Sequence, residues 1–410
     1  MSKAKGQDHK GFRRATLVTA SLAAVMACGP QGREEDAAVV EGEHGTARQA
    51  VTTCSTKTTI NGYVTWAHFM NPTAPCKPDA NGFDRHITDE FIRLVQSVPA
   101  GGTIRGNISS ISSDAVAREL LAAQNRGVNV YITGSGQLAS QTTSEMTYLN
   151  QLKNKKWCYS SVGPAYGCIG NTADGAAHTK AFTFSSATLP DAPTQLVSNV
   201  TWFGSMNFTY LNWSQNAVTV YGDAVLYNGM SKILSDMYTG VYRGVNYYDS
   251  SIPRGYVNSG SANIYASPEQ EYDIIVSRIN DVTPDSNCRV RVLQASVKDS
   301  RLEVVDQLVR LKQGGCRVEV AAEVVEPTAL SRLKGAGIPV RQYNVHDKVF
   351  VIYGKYGTAY QYRVYTGSHN LSGHANSSRD EIFVAMTDNK TLHDAFYFHW
   401  LDAYNNGTAL

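Results

Sequence analysis

The sequence predicts an α/β protein of two similar lobes, each with a mainly parallel central sheet flanked by helices, related by pseudo-two-fold symmetry. A strand–helix–strand pattern occurs in residues 102–133 and again in residues 287–323. Parallel neighbouring strands need such a crossover, and the crossover packs right-handed. A chain of 410 residues is long enough for two lobes of ordinary size.

Each repeated unit is predicted from its hydrophobic spacing. Both central helices carry apolar residues at helical spacing and end at glycine before an alternating strand. These residues are Val116, Leu120 and Leu121 in the first unit and Val304, Leu308 and Leu311 in the second. Residues 391–404 predict an amphipathic C-terminal helix. His393 and His399 on that helix are interpreted as packing residues, not ligands.

The first 27 residues predict an export signal. Lysines and arginines precede an apolar stretch of small residues from Ala15 to Ala27. The stretch is too short for a conventional transmembrane helix. The segment Val25-Met26-Ala27-Cys28 resembles a bacterial lipoprotein processing box, which implies lipidation of Cys28. The alternative is an ordinary cleaved signal, with Cys28 incidental.

The remainder of the chain divides into three predicted parts. Residues 28–53 are polar, small and aperiodic, which predicts a flexible tether. Residues 54–245 form the first predicted lobe and residues 246–410 the second. A stretch rich in Gly, Ser and Tyr, residues 239–268, predicts the connector between them.

The cysteines predict disulfides. Apart from Cys28, an even number remains: Cys54, Cys76, Cys158, Cys168, Cys288 and Cys316. An even number in an exported protein implies disulfides, and fifteen pairings are possible in principle. Proximity along the chain favours Cys54–Cys76, Cys158–Cys168 and Cys288–Cys316. A zinc site is disfavoured because no Cys-x-x-Cys is present.

The charge balance argues against a general polyanion-binding surface. Residues 1–27 carry five Lys or Arg and one Asp, so their removal changes the net charge from +2 to about −2. Nonspecific nucleic-acid binding usually shows a basic face, and none is visible in the sequence.

The most informative feature is a pair of motifs suited to phosphate chemistry. His178-Thr179-Lys180 is followed by Gly204-Ser205-Met206-Asn207, and His346-Asp347-Lys348 by Gly367-Ser368-His369-Asn370. Each His-x-Lys lies in an apolar alternating run, which predicts a strand with His and Lys on one face. Each Gly-Ser-x-Asn ends a second apolar run, where a turn can direct polar groups at an anion.

These motifs resemble those of the phospholipase D superfamily over about Val64 to Ala385. The family pattern also has an Asp at the fifth position after Lys, where this sequence has Ser185 and Tyr353. That Asp is usually regarded as supporting the motif strand. The resemblance implies a two-lobed phospholipase D-like fold in a monomer that holds both half-sites, with no metal or cofactor.

The resemblance also implies site residues with distinct roles. One imidazole attacks phosphorus, the other protonates the leaving oxygen, and fixed donors bind the phosphate. The implied catalytic residues are His178, Lys180, Asn207, His346, Lys348 and Asn370, with Ser205 and Ser368 on the phosphate.

A carboxylate or amide after each Gly-Ser-x-Asn is expected to hold a histidine proton, which selects Asp380 in the second half and Gln215 in the first. The resulting hypothesis makes His346 the more basic proton carrier and leaves His178 neutral for attack. His68 and His369 are further candidates for the pocket wall.

The leading functional hypothesis is an exported phosphodiesterase that cuts the head-group side of glycerophospholipids. A lipid surface as partner fits the expected anchor, the near-neutral charge and the 23 tyrosines. One alternative is an endonuclease that cuts DNA or RNA with the same site. The other is a binding lipoprotein whose activity is weakened by loss of both motif aspartates.

Overall fold

The computed structural model describes residues 54–159, 161, 166–209, 211–249 and 254–410. The predicted signal, the predicted tether and Cys28 lie outside the described residues. Strands of the first half form one sheet in the order β1-β2-β8-β7-β6-β3-β4-β5. They are β1 (Ser55–Ile60), β2 (Tyr63–Met70), β3 (Thr103–Ile108), β4 (Asn129–Ser135), β5 (Asn154–Cys158), β6 (Ala181–Leu189), β7 (Ala192–Gly204) and β8 (Gln215–Tyr221).

Strands of the second half form another sheet in the order β9-β10-β17-β16-β15-β12-β13-β14-β18, with β11 paired to β15. They are β9 (Tyr256–Asn258), β10 (Asn263–Ser267), β11 (Val282–Thr283), β12 (Arg289–Val297), β13 (Arg317–Val325), β14 (Val340–Gln342), β15 (Lys348–Tyr356), β16 (Ala359–Gly367), β17 (Glu381–Thr387) and β18 (Thr408–Ala409). When the first sheet is followed from β1 and the second from β9, the strands occur in an equivalent order, since β1-β2-β8-β7-β6-β3-β4-β5 corresponds to β9-β10-β17-β16-β15-β12-β13-β14. This order is consistent with the predicted internal duplication.

The two sheets flanked by helices confirm the α/β prediction, but the pairing corrects the expectation of mainly parallel sheets. Parallel pairs join β3 to β4, β4 to β5, β12 to β13 and β13 to β14. The strands that carry or follow the motifs, β6 to β8 and β15 to β17, pair antiparallel. Short turns join β6 to β7 and β15 to β16, and a short turn can only join antiparallel neighbours.

Helices cover the sheets at the places that the crossovers require. They are α1 (His86–Ser97), α2 (Asp114–Asn125), α3 (Ser144–Leu149), α4 (Ala224–Thr239), α5 (Ile274–Asn280), α6 (Leu302–Gln313), α7 (Pro327–Gly335), α8 (Gly373–Ser377) and α9 (Lys390–Asn406). Ser113 caps α2 by accepting a hydrogen bond from the Val116 N–H. Helix α9 confirms the predicted C-terminal helix, and His393 and His399 are both buried on it. The predicted boundary at residue 245 stays a prediction.

Aromatic rings dominate the core of the first half. The fully buried Phe91 of α1 lies 4.6 Å from the ring of Phe182, 5.4 Å from Trp202 and 4.4 Å from Phe208. Phe182 follows the first His-x-Lys and Phe208 follows Asn207. The same cluster therefore stabilises the helix and the chain segments that carry the first motif.

The three predicted disulfides are confirmed. The pairs are Cys54–Cys76, Cys158–Cys168 and Cys288–Cys316. Such bonds persist in oxidising compartments, which indicates an extracytoplasmic protein.

Within the described part of the chain, no helix is both long enough and apolar enough to cross a membrane.

We expect Phe91→Ala to lower the free energy of unfolding by about 3–5 kcal/mol, because it leaves a cavity among rings that cannot close in fully. Urea denaturation followed by circular dichroism measures the change. Phe398→Ala is the matched control, since Phe398 is 42% exposed on α9, and its effect should stay within about 0.5 kcal/mol. Equal losses in both variants would contradict the assignment of this core.

Candidate active site

Two short backbone bridges connect the sheets beside the histidines. Ala177 pairs with Asp380, and Val345 pairs with Ser214. The His178 N–H donates to the Asp380 carbonyl at 3.1 Å, and the His346 N–H donates to the Ser214 carbonyl at 2.9 Å. Each His-x-Lys therefore reaches across to the segment that follows the Gly-Ser-x-Asn of the other half. The His-x-Lys triplets lie just ahead of β6 and β15, and of the residues in these triplets only Lys348 falls within a strand.

Exposure separates the motif residues into two groups. The histidine and asparagine side chains His178, His346, Asn207 and Asn370 are partly exposed, whereas Lys180, Lys348, Ser205 and Ser368 are buried. A substrate that enters from solvent therefore meets imidazole and amide groups first.

The motif glycines are required by close backbone packing. A Cβ on Gly204 would lie 2.3 Å from the Asn216 carbonyl oxygen, and one on Gly367 would lie 2.2 Å from the Ile382 carbonyl oxygen. Gly367 also has φ +136°, a conformation that favours glycine. Both glycines let the motif turn lie directly against the strand that follows it.

His178 is held by a carboxylate from the other half. Its Nδ1–H donates to Glu381 Oε2 at 2.8 Å, and the Glu381 carboxylate is fully buried. Burial would raise the pKa of Glu381, but His178 together with His369 and Lys180 lowers it to about 2. Glu381 is therefore ionised, and it fixes His178 with a free Nε2.

His346 is held by a backbone carbonyl instead. Its Nδ1–H donates to the Ser205 carbonyl at 2.9 Å, and its Nε2 accepts from Asn207 Nδ2 at 3.4 Å. The ring of Trp213 stacks on the imidazole at 5.6 Å. Both histidines therefore present Nε2, but only His178 has a carboxylate behind it.

The charged groups of the two motifs influence one another. Burial lowers the pKa of His178 to about 4, although Glu381 raises it, and both Lys180 and Lys348 lower it further. Burial, then Lys348 and Lys180, hold the pKa of His346 well below its usual range, and His178 adds to this effect. Both imidazoles are therefore neutral near pH 7 in the free protein.

The two lysines are fixed in equivalent ways. Lys180 Nζ donates to the His178 carbonyl at 2.6 Å, and Lys348 Nζ donates to the His346 carbonyl at 2.5 Å. Burial lowers the pKa of Lys348 to about 7, while Glu381, Asp347 and Glu323 raise it. Each ammonium keeps further N–H donors for an anion.

Comparison with known proteins finds a similarity in the second half of the chain. A family model described as "Cardiolipin synthase, PLD-like domain" matches residues 268–399. Residues 268–399 therefore form a phospholipase D-like domain.

The chain is similar to solved structures, and the first of those named below supports the fold. Phosphatidylserine synthase of Haemophilus influenzae Rd KW20 has 10% identity and a TM-score of 0.50, over 79% of this chain and 85% of that one. Nuc of Salmonella typhimurium, a phospholipase D family member, has 23% identity and a TM-score of 0.30, over 37% and 97%. Polyphosphate kinase of Porphyromonas gingivalis has 11% identity and a TM-score of 0.48, over 76% and 47%. No protein of curated function matches the sequence significantly.

The structure corrects the prediction of the residue that holds a histidine. Asp380 was expected to hold a histidine, but its carboxylate accepts from the backbone N–H groups of Cys168, Ile169 and Gly170 at 2.5–3.1 Å. Burial raises the pKa of Asp380 to about 7, although these N–H groups lower it. Glu381, the next residue, takes the expected role on the opposite face of the chain.

Gln215 lies at the equivalent place in the first half, but it holds the backbone. Its Oε1 accepts from the Asn207 N–H at 3.1 Å, and its Nε2 has no hydrogen-bond partner among the described residues. The hypothesis that His346 is the more basic histidine therefore loses its basis, because the carboxylate belongs to His178.

The motif serines are also corrected, since they support strands and do not face a phosphate. Ser205 Oγ accepts from the Asn216 N–H at 3.0 Å, and Ser368 Oγ accepts from the Ile382 N–H at 3.0 Å. Both side chains are fully buried.

A buried polar network behind His346 escaped the sequence analysis. Asp347 accepts from Ser214 Oγ at 2.6 Å, from Asn216 Nδ2 at 2.5 Å and from His399 Nε2 at 2.8 Å. Burial would raise the pKa of Asp347, but His399 and these donors lower it. In the sequence, only the presence of His399 on the predicted C-terminal helix indicated a polar group in this region.

The two pocket-wall candidates have different surroundings. His68 is buried, with Ser55 Oγ at 2.8 Å from its Nδ1 and Glu90 Oε1 at 3.9 Å from its Nε2, apart from the motif residues. His369 accepts at Nδ1 from Arg301 Nη1 at 3.3 Å. Burial raises the pKa of Glu381, whereas His178 and, to a smaller extent, His369 lower it. His369 therefore belongs to the site, whereas the contacts of His68 are structural.

The positions of the missing family aspartates hold structural residues. Ser185 Oγ accepts from the Thr103 N–H at 2.9 Å. Tyr353 stacks on Tyr360 at 5.4 Å. Within the described ranges, no group of three or more His, Cys, Asp or Glu side chains could hold a metal ion.

We expect Glu381→Gln to lower the pKa of His178 below its value of about 4, because the carboxylate that stabilises the imidazolium is removed. An NMR titration of the His178 ring measures it. Glu303→Gln, at an exposed position of α6, should leave the titration unchanged. A pKa that rises or stays constant in Glu381→Gln would argue against this contact.

We expect Gly204→Ala and Gly367→Ala each to lower the free energy of unfolding by about 1–3 kcal/mol, because the added methyl group meets backbone that cannot yield cheaply. Thermal and urea denaturation measure the loss. Gly335→Ala is the control, since nothing lies within 4 Å of its added Cβ. Motif variants as stable as the control would show that the turn can relax.

Proposed function

We propose that this protein is a metal-independent phosphodiesterase of phospholipase D type that hydrolyses the head-group phosphodiester of glycerophospholipids. Superfamily members are phosphoryl-transfer enzymes, and the reaction and substrate are the proposed part. One observation carries the proposal: two neutral imidazoles with fixed Nδ1–H groups share a site in which only His178 is backed by an ionised carboxylate.

His178 is the proposed nucleophile. Its Nε2 lone pair forms the bond to phosphorus while the bond from phosphorus to the leaving alcohol oxygen breaks. The ring becomes cationic in this step, and Glu381 stabilises it at 2.8 Å. The nucleophile is the residue chosen from the sequence, but the reason is this carboxylate and not a more basic His346.

His346 is the proposed acid and base. Bound phosphate brings negative charge that favours its protonated form, so its Nε2–H can protonate the leaving alkoxide. Water then attacks phosphorus and gives its proton to His346 Nε2. The phosphorus–nitrogen bond breaks and its electron pair returns to His178. His346 carries the proton again, and it releases this proton to solvent when the phosphate product leaves.

The lysines and asparagines are the proposed phosphate ligands. Lys180 and Lys348 are anchored through one N–H each to the chain that carries the histidines. Asn207 and Asn370 are partly exposed beside them. Donors fixed before the reaction stabilise charge on the non-bridging oxygens without reorganisation.

Apolar groups near His346 favour a lipid over a nucleic acid. Trp213 stacks on His346, and Leu211, two residues earlier, is 38% exposed. The near-neutral charge of the chain supplies no general attraction for a polyanion. We further propose that the protein acts as a monomer, exported and anchored through Cys28, on a membrane surface.

We expect purified protein with chelator to hydrolyse phosphatidylcholine vesicles, and His178→Ala and His346→Ala each to lower kcat by about 10³-fold or more. An alkaline quench should trap phosphate on His178 from labelled substrate. Exposed His374→Ala is the control, with a side chain 51% exposed, and it should keep full activity.

The assay separates the alternatives. Nicking of plasmid DNA without lipid turnover would select the endonuclease. Silence on both substrates would favour a binding protein. Label on His346 would reverse the roles of the two histidines.

A further inference from the structure

Gln294 on β12 is a buried side chain with no internal partner. It is 1% exposed, and neither its Oε1 nor its Nε2 has a hydrogen-bond partner among the described residues. An unsatisfied buried amide costs about 1–3 kcal/mol for each group. Such groups in native proteins usually serve a ligand or an ordered water.

The place of Gln294 is beside the active-site lysine. In the β12–β15 register Gln294 lies directly opposite Lys348, and side chains of directly opposite residues share one face of a sheet. The continuation of β12 then runs beside the second Gly-Ser-x-Asn, because the Leu371 N–H donates to the Ser296 carbonyl at 3.1 Å.

That second motif offers more unpartnered polar atoms. His369 accepts at Nδ1 from Arg301, so its Nε2 carries the proton, and this N–H has no partner within the described part of the chain. Asn370 Oδ1 is likewise buried and without a hydrogen-bond partner there. The Lys348 side of the site therefore combines buried donors and acceptors.

The Lys180 side is different. There one pocket is lined by Lys180 and Asn207, by apolar residues that include Ile108, Met206 and Phe208, and by the polar Asn107, Ser109 and Ser110. Met206 stands where the second motif has His369. The two motifs therefore differ in polarity at this position.

We propose that Gln294, with His369, binds the alcohol portion of the substrate, and that this alcohol is uncharged and hydroxylated. The inference rests on the proposed phosphodiesterase function. A hydroxyl group both donates and accepts, as the amide of Gln294 does. A quaternary ammonium offers no hydrogen bond, and its positive charge would lie near the guanidinium of Arg301.

The test compares phosphatidylglycerol with phosphatidylcholine of the same acyl chains, in neutral detergent micelles. We expect Gln294→Ile to lower the ratio of kcat/KM for phosphatidylglycerol over kcat/KM for phosphatidylcholine by about 10-fold, mainly through KM. The reason is that the glycerol hydroxyl of the substrate loses its hydrogen-bond partner. Bis(p-nitrophenyl) phosphate, which has no hydroxylated alcohol, should be cleaved within about 3-fold of the native rate. Gln313→Ile, exposed at the end of α6, should change neither.

A second measurement does not depend on turnover. Addition of glycerol phosphate should shift the NMR signals of the Gln294 side-chain amide, and choline phosphate should shift them less. An unchanged substrate ratio with bis(p-nitrophenyl) phosphate still cleaved, or equal shifts with both phosphates, overturns the inference. Failure to cleave bis(p-nitrophenyl) phosphate instead refutes the phosphodiesterase, and the shifts then decide the binding role alone.

Discussion

The active site depends on two reciprocal backbone bridges, in which the residue before each histidine pairs with a segment of the other half. A backbone hydrogen bond fixes both position and direction, so each imidazole enters the site at a defined angle. The bridge at Asp380 also sets the alternation of side chains that turns Glu381 toward His178. The carboxylate contact therefore follows from the bridge.

Burial gives the site its chemistry. Lys180 is 2% exposed and Lys348 is 1% exposed, and burial lowers the pKa of both lysines and of both histidines. A cluster of buried lysines and imidazoles is costly when its positive charges outnumber the carboxylate of Glu381 that faces them. The same cost becomes affinity when a phosphate arrives, because its charge restores the protonated forms. These buried groups therefore lower the stability of the free protein, and a bound phosphate would offset that loss.

Much of this could be predicted from the sequence. The motifs, the repeated strand–helix–strand units and the three disulfides depend on local patterns and on spacing along the chain. The antiparallel pairing of the motif strands was hidden, because an apolar strand does not reveal the direction of its neighbour.

The identity of the histidine partner was one residue in error for a similar reason. Asp380 and Glu381 are adjacent acids, and only the bridge at Ala177 decides which of them faces the ring. Gln215 and Glu381 are each the first residue of the strand that follows their motif. The predicted position was therefore equivalent to that of Glu381 in the first half and one residue too early in the second half. The Asp347–His399 pair joins residues 52 positions apart, and no local pattern announces such a contact.

Cys168 connects the Cys158–Cys168 disulfide to the candidate site. It is joined to Cys158, and its N–H donates at 2.5 Å to the Asp380 carboxylate, next to the glutamate that steadies His178. Closing the disulfide restricts the segment that presents this N–H. Formation of this disulfide and the alignment of His178, the proposed nucleophile, are therefore connected, so a reduced protein is expected to have a less ordered His178.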